Sequence, residues 1–251
     1  YVTGYAAAAA LGAQGLAADA VAGHSIGEYA ALAYAGVFSY REGLQLVRER
    51  GRLMQEAAAA KPGGMVAVLG LSAADLEICC AAARSEGVCQ GVNFNSPEQV
   101  VVAGERRAVE KLAALATAKG AKRVIPLAVS GAFHSALMED AARQMAERLR
   151  RVTFQNPRIP VAMNVDGQLR TGAQSVREAL DKQLASPVQW VRTIEAMKGA
   201  GCSRFVECGP GRVLSGLLRR IDRQLESFPT DTMEALTQAA GALIPARREN
   251  A

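Results

Sequence analysis

Aromatic side chains are scarce in this chain: one Trp, five Tyr and six Phe make up 5% of its 251 residues. Base stacking therefore has little to work with, and no dense Lys/Arg block compensates, so nucleic-acid binding is not expected. The five cysteines, Cys79, Cys80, Cys89, Cys202 and Cys208, are odd in number and lack C-x-x-C spacing. That excludes a disulfide framework and leaves no zinc motif, so no metal is expected and a reducing, cytoplasmic setting is the simplest reading. No apolar run approaches the ~18 residues of a membrane span, and no membrane partner is expected. The opening Tyr1-Val2-Thr3-Gly4-Tyr5 has no initiator Met and no basic region, so it is not read as a signal peptide. Histidine is scarcer still, with only His24 and His134.

What is present describes an enzyme-sized globular chain. Half the residues are hydrophobic and 21% are charged, enough for one large domain or two small ones. The net charge of +5 favours anionic partners, either a phosphate-bearing small molecule or an acidic protein.

One stretch concentrates chemistry. Gly23-His24-Ser25-Ile26-Gly27 matches Gly-x-Ser-x-Gly, with the apolar Ala20-Val21-Ala22 before it and an Ala-rich helical run up to Gly36 after it. Strand, tight turn and helix in that order are the context of a nucleophile elbow. Glycines on both sides are expected because flanking side chains would collide. The Ile26 N–H, at the start of the new helix, would face a developing oxyanion.

Around the elbow the pattern alternates helix and strand. An Ala-rich helix is expected over Ala6 to Ala18, broken near Gly12 and Gly15. A second helix, Tyr40 to Ala60, carries Leu46, Val47, Leu53 and Met54 on one face, with Arg50 inside that stripe. A guanidinium there needs an anion, either an internal carboxylate or one brought by a ligand. Between Gly63 and Ser130 the texture reads strand, helix, strand, strand, helix, strand: Met65 to Leu69, Ser72 to Ser85 capped by Ser72, Val88 to Phe94, Gln99 to Ala103, Glu105 to Lys119 and Lys122 to Val129. That order is a ferredoxin-like split βαβ unit. The fold class is therefore α/β, an α/β-hydrolase-like main domain with a parallel central sheet (1–62 and 131–251) and an inserted ferredoxin-like α+β subdomain (63–130). Beyond it come a helix from Ser135, the strand Val161 to Asn164, helices at Ser175 to Leu184 and Trp190 to Lys198, and the strand Arg204 to Cys208. Gly209-Pro210-Gly211 reads as a turn into the helix Arg212 to Ile221. Asp231 with Glu234 is expected to box a last helix, and Arg247-Arg248-Glu249-Asn250 to form a solvated tail.

A serine nucleophile needs a base. His24 adjoins Ser25, and neighbouring side chains point to opposite sides of extended backbone, so by elimination His134 takes that role. The acids between Ser25 and His134 are read as lying on the inserted subdomain or on exposed helix faces, and His134 is far from the C-terminus, so a Ser–His dyad oriented by a carbonyl or amide fits better than an α/β-hydrolase triad.

These features resemble the malonyl-CoA:acyl carrier protein transacylases. The resemblance rests on the elbow with Glu28-Tyr29, on Arg50-Gly51-Arg52-Leu53-Met54-Gln55, on Asn93-Phe94-Asn95-Ser96-Pro97 and on Gly131-Ala132-Phe133-His134-Ser135. It continues through Asn164-Val165-Asp166, Gln183-Leu184 to Pro187-Val188-Gln189-Trp190, and Glu207-Cys208-Gly209-Pro210-Gly211. It implies that Ser25 is acylated, that His134 is its base and that the Gln183 carbonyl orients the imidazole. Arg50 then pairs with the malonyl carboxylate, and His24, Phe133 and Asn93 line the substrate. It also implies malonyl-CoA and acyl carrier protein as partners, no cofactor, a monomer and a place in fatty-acid synthesis. The family's opening Gly-Gln-Gly-x-Gln motif, which supplies a second oxyanion donor, is not found in this chain. Three other readings stand beside it: a serine hydrolase or thioesterase, a polyketide-type acyltransferase, and a catalytically impaired carrier-protein binding fragment. A buried Arg50 separates the first, because a neutral acyl group asks for no cation.

Overall fold

The computed structural model describes residues 1–244; the expected tail at Arg247 to Asn250 lies outside them. The chain folds as α/β, in the order α1 (Val2–Ala13), β1 (Val21–Ala22), α2 (Gly27–Tyr34), α3 (Tyr40–Ala60), β2 (Gly63–Leu69), α4 (Ala73–Ala83), β3 (Cys89–Ser96), β4 (Gln99–Glu105), α5 (Arg106–Ala118) and β5 (Arg123–Pro126). There follow α6 (Glu139–Arg150), β6 (Val161–Ala162), β7 (Leu169–Arg170), α7 (Ala173–Lys182), α8 (Trp190–Gly199), β8 (Arg204–Glu207), α9 (Val213–Ile221), β9 (Glu226–Pro229) and α10 (Met233–Leu243).

The long helix α3 shows why the local sequence folds as it does. Ser39 caps it, its Oγ accepting from the Glu42 N–H at 3.1 Å. Leu46 and Leu53 are fully buried, and Val47 and Met54 pack at the margin of the same cluster. Tyr29 and Leu32 of α2, Met145 and Leu149 of α6, and Val176 and Leu180 of α7 complete that core. Truncating Leu53 to Ala there costs about 2–5 kcal/mol.

The segment from β2 to β5 is a four-stranded antiparallel sheet in the order β3-β4-β2-β5, with α4 and α5 on one face. Strand alternation buries both faces. Val66, Val68, Val100 and Val102 point to the helices, while Met65, Ala67, Val101 and Ala103 point to Ala132 and Leu137. This second face seats the turn that carries His134. A seam joins it to the rest of the chain: the Phe94 N–H donates to the Val188 carbonyl at 2.9 Å and the Val188 N–H to the Val92 carbonyl at 2.8 Å. Val188 itself is fully buried.

Several expectations are corrected. The first helix starts at Val2, ends at Ala13 and runs through Gly12. The expected parallel central sheet is represented by two separate parallel pairs, β1 with β6 and β8 with β9, and β6 also pairs antiparallel with β7. Strand β1 is short because Gly23 turns the chain into the elbow at once. Helix α10 is capped by Thr232, whose Oγ1 accepts from the Ala235 N–H at 3.1 Å; Asp231 is instead paired with Arg212 at 3.0 Å.

Candidate active site

The elbow forms between β1 and α2. Gly23 is obligatory, since a Cβ there would lie 2.0 Å from the Gly27 carbonyl carbon. Gly27 is not: a Cβ on it meets nothing within 4 Å, so the expected need for two glycines reduces to one. Ser25 sits at the apex with φ 52°, in the left-handed region. Two amides fix that conformation. Asn164, just after β6, accepts from the Ser25 N–H at 2.7 Å and donates Nδ2 to the Gly23 carbonyl at 2.7 Å. Gln183 Nε2 donates to the Ser25 carbonyl at 2.9 Å.

The Ser25 hydroxyl lies between a base and a cation. Its Oγ is 2.7 Å from His134 Nε2 and accepts from Arg50 Nη2 at 2.9 Å. His134 Nδ1 is 3.0 Å from the Gln183 carbonyl, which can only accept, so the proton is on Nδ1 and Nε2 is free to take the serine proton. The ring is buried, and burial together with the Arg50 charge lowers its pKa to about 4. His134 also has a left-handed backbone, φ 62°, held in a tight turn where the Ser135 Oγ donates to the Ala132 carbonyl at 2.5 Å.

Arg50 is 4% exposed and forms no ion pair among the described residues. Its Nε reaches Gln183 Oε1 at 3.3 Å and its guanidinium lies 5.8 Å from the Tyr29 ring centre. Burial draws its pKa down, but an arginine stays charged. The internal carboxylate considered for it is near but otherwise engaged. Glu28, fully buried, accepts from the Asn164 N–H at 2.6 Å with one oxygen and from Gln183 Nε2 with the other. Burial pushes its carboxyl up to about 7. Glu28 thus holds the two amides that hold the elbow.

The other expected residues are placed less centrally. His24 Nε2 is 2.8 Å from Asn95 Oδ1 and its ring stands edge-on to Trp190, so it points away from Ser25. Burial of the ring lowers its pKa. Ile26 precedes α2, and its N–H has no acceptor among the described residues. Phe133 packs in the cluster of Met65, Ala132 and Leu137. Asn93 is buried at the seam, its backbone bridged to Val188. No structural contact brings Phe133 or Asn93 to the Ser25 hydroxyl. Gly209-Pro210-Gly211 serves as the expected turn, and the start of α9 is filled by Glu207, which accepts from the N–H groups of Leu214 and Ser215 at 2.9 and 2.7 Å. A phosphate has no room in that role. Among the described residues no acidic, His or Cys cluster suits a metal, the cysteines are free, and no helix is long and apolar enough to cross a membrane.

Three residues of the site were missed from sequence: Glu28, Asn164 and Asn95. Each stands within a motif noted above, but none carries a pattern that announces its partner.

The family model described as acyl transferase domain matches residues 2–249. The chain is 44% identical over 219 residues to the malonyl CoA-acyl carrier protein transacylase of Salmonella typhimurium, covering 87% of this chain and 71% of that one. Its structure is similar to the crystal structure of the corresponding enzyme of Xanthomonas oryzae, with a TM-score of 0.93 and 42% identity over 96% of this chain and 77% of that one. It is also similar to a malonyl-transacylase solved in complex with a type II polyketide-synthase acyl-carrier protein, with a TM-score of 0.92 and 39% identity over 96% of this chain and 78% of that one. By sequence and by structure the chain belongs to the malonyl CoA-acyl carrier protein transacylase family.

Proposed function

We propose that the protein transfers a malonyl group from CoA to the phosphopantetheine thiol of an acyl carrier protein through a malonyl-serine ester. The observation that carries this is the single hydroxyl, Ser25 Oγ, shared between the His134 imidazole at 2.7 Å and the buried Arg50 guanidinium at 2.9 Å. In a malonyl thioester the free carboxylate is two bonds from the reacting carbonyl. A carboxylate on Arg50 therefore leaves that carbonyl beside Ser25.

His134 Nε2 takes the hydroxyl proton as Oγ attacks the thioester carbonyl. The oxyanion forms toward the Ile26 N–H. Collapse breaks the C–S bond, and the CoA sulfur leaves with the proton from His134. In the second half the carrier thiol gives its proton to His134, attacks the ester and expels Ser25 Oγ, which recovers the proton. Gln183 keeps the imidazole in the productive tautomer throughout. His24, Phe133 and Asn93 stand back from the hydroxyl and take no protons. No cofactor takes part, CoA being a substrate. A hydrolase of neutral acyl groups gives no account of a buried Arg50 without an ion pair.

The same reading covers the architecture. Residues 1–62 and 131–251 form a hydrolase-like catalytic domain, supported by the strand–elbow–helix passage. Residues 63–130 form a ferredoxin-like insert, supported by the β-α-β-β-α-β order. The five free thiols suit a reducing, cytoplasmic setting. The test is incubation with malonyl-CoA and mapping of the adduct by mass spectrometry. Malonyl on Ser25, and none in Ser25→Ala, is expected; an adduct elsewhere overturns the proposal.

A further inference from the structure

Gln183 meets the site twice. Its main-chain carbonyl orients His134, while its side-chain amide, fully buried, touches three other groups. Nε2 donates to the Ser25 carbonyl at 2.9 Å and to Glu28, and Oε1 accepts from Arg50 Nε at 3.3 Å. The two ends of an amide are nearly the same size, so only its neighbours decide which way round it lies. The Ser25 carbonyl can only accept. An ionised Glu28 can only accept as well, and its other oxygen is already taken by the Asn164 N–H at 2.6 Å. Two acceptors on one side fix the NH2 there and deliver the oxygen to Arg50. Turned over, the amide would set its oxygen against two oxygens and its NH2 against a guanidinium, all of them buried.

The negative charge of Glu28 is what closes this arrangement. A neutral side chain of the same shape has one acceptor end and one donor end, whereas Asn164 and Gln183 both require an acceptor. With its acceptor end on Asn164, its donor end would face Gln183 and draw the amide oxygen toward itself. The amide would then present a donor to Arg50. Arg50 has no ion pair with Glu28 among the described residues, so the amide is the hydrogen-bonded link between them.

We propose that Glu28 is a positioning residue for acyl selectivity: as a carboxylate it locks the Gln183 amide with its oxygen on Arg50, and so holds the guanidinium ready for the malonyl carboxylate. The inference rests on the transferase function proposed above, since that reaction brings the malonyl group. Support of the elbow alone would affect every acyl donor alike; a hold on Arg50 discriminates among them.

The test compares the wild type with Glu28→Gln, which keeps the shape and removes the charge, by kcat/KM for acylation from malonyl-CoA and from acetyl-CoA. The ratio of malonyl over acetyl should fall at least about tenfold, carried by a rise in KM for malonyl-CoA. Equal losses with both thioesters leave Glu28 a support of the elbow and overturn the inference. In a Gln183→Met background, where the amide is gone, Glu28→Gln should change the ratio no further. A further fall there means that Glu28 acts on Arg50 by charge without the amide, and also overturns it.

The wild type supplies a check that needs no variant to fold. Burial raises the Glu28 carboxyl to about 7. Between about pH 8 and 6 its ionised fraction therefore drops roughly tenfold, and the malonyl-over-acetyl ratio should drop with it. The charged groups facing Glu28 are Arg50 from α3 and Arg170 from β7, and both keep their charge there. The buried Tyr29 phenol beside it and the His134 ring stay neutral. A flat ratio counts against the inference as firmly as equal losses in the variant. If neither thioester acylates Ser25 the transferase reading fails, and the NMR signal of the Gln183 side-chain amide, assigned by its loss in Gln183→Met, still decides the role of Glu28. That signal should move with a midpoint at about 7 in the wild type and hold still in Glu28→Gln; a signal indifferent to pH in both proteins breaks the link.

Discussion

Ser25 and His134 are joined by a 2.7 Å hydrogen bond and share a left-handed backbone, φ 52° and 62°; no other non-glycine residue among those described has positive φ. Each such residue stores about 1–3 kcal/mol of strain. The amides of Asn164 and Gln183 and the turn at Ser135 hold the pair there. Sequence carries no sign of it at His134, whose own position has neither glycine nor turn chemistry.

The strain reverses an ordinary ranking. In most elements Ala is more stabilising than Gly, but at Ser25 glycine escapes the left-handed penalty. Ser25→Gly should therefore be more stable than Ser25→Ala by about 1 kcal/mol. Urea midpoints at constant m measure this, and the usual order would contradict the strain.

The two histidines should separate cleanly. His134→Ala should slow acylation by about four orders of magnitude or more, close to the loss in Ser25→Ala, because the pair acts as one unit. His24→Ala should be far milder, since it loosens only the contacts with Asn95 and Trp190. Single-turnover acylation rates decide it. A folded His24 variant with the larger chemical defect would refute the assignment of the base.

Arg50 should set which acyl group is used. Arg50→Ala leaves a malonyl carboxylate unpaired, a penalty of roughly 3–5 kcal/mol that an acetyl group does not incur. The ratio of kcat/KM for malonyl-CoA over acetyl-CoA should fall accordingly. Arg50→Lys should recover little, lacking the planar fork. If the ratio holds while both rates drop, Arg50 is structural.

Acid should erode the fold through His134. Its folded pKa of about 4 lies below the ordinary 6.5, so the unfolded chain takes up the proton first as pH falls. Stability from the buried neutral ring is whole above 6.5, declines as pH drops, and is gone below about 4. Measured as wild type minus His134→Asn, the decline should amount to about 3 kcal/mol. Glu28, raised to about 7, has the opposite slope but is common to both proteins and cancels. A difference that stays flat across this window would show that the ring is not held neutral by the fold.

Much of the site was legible because its signals are local. Gly23 and Ser25 stand between apolar strand and helix, Arg50 interrupts a helical stripe, and His134 remains once His24 is set aside. Glu28 and Asn164 were not legible, since their partners lie 155 and 139 residues away along the chain and only folding brings them together. Strands β7 and β9, Leu169–Arg170 and Glu226–Pro229, were missed because charged and polar residues interrupt them, leaving no apolar run such as marks β1 and β6. Thr232 and Asp231 are equally good caps on paper; the pull of Arg212 on Asp231 decides between them.

The Val188 seam has a kinetic consequence. Swinging the inserted sheet away would break two backbone hydrogen bonds and strand buried polar groups, each costing about 1–3 kcal/mol. The inserted sheet is thus clasped to the rest of the chain rather than hinged to it. One hydroxyl, Ser25 Oγ, must serve donor and acceptor in turn, so the two compete for it and each, in excess, holds the other back.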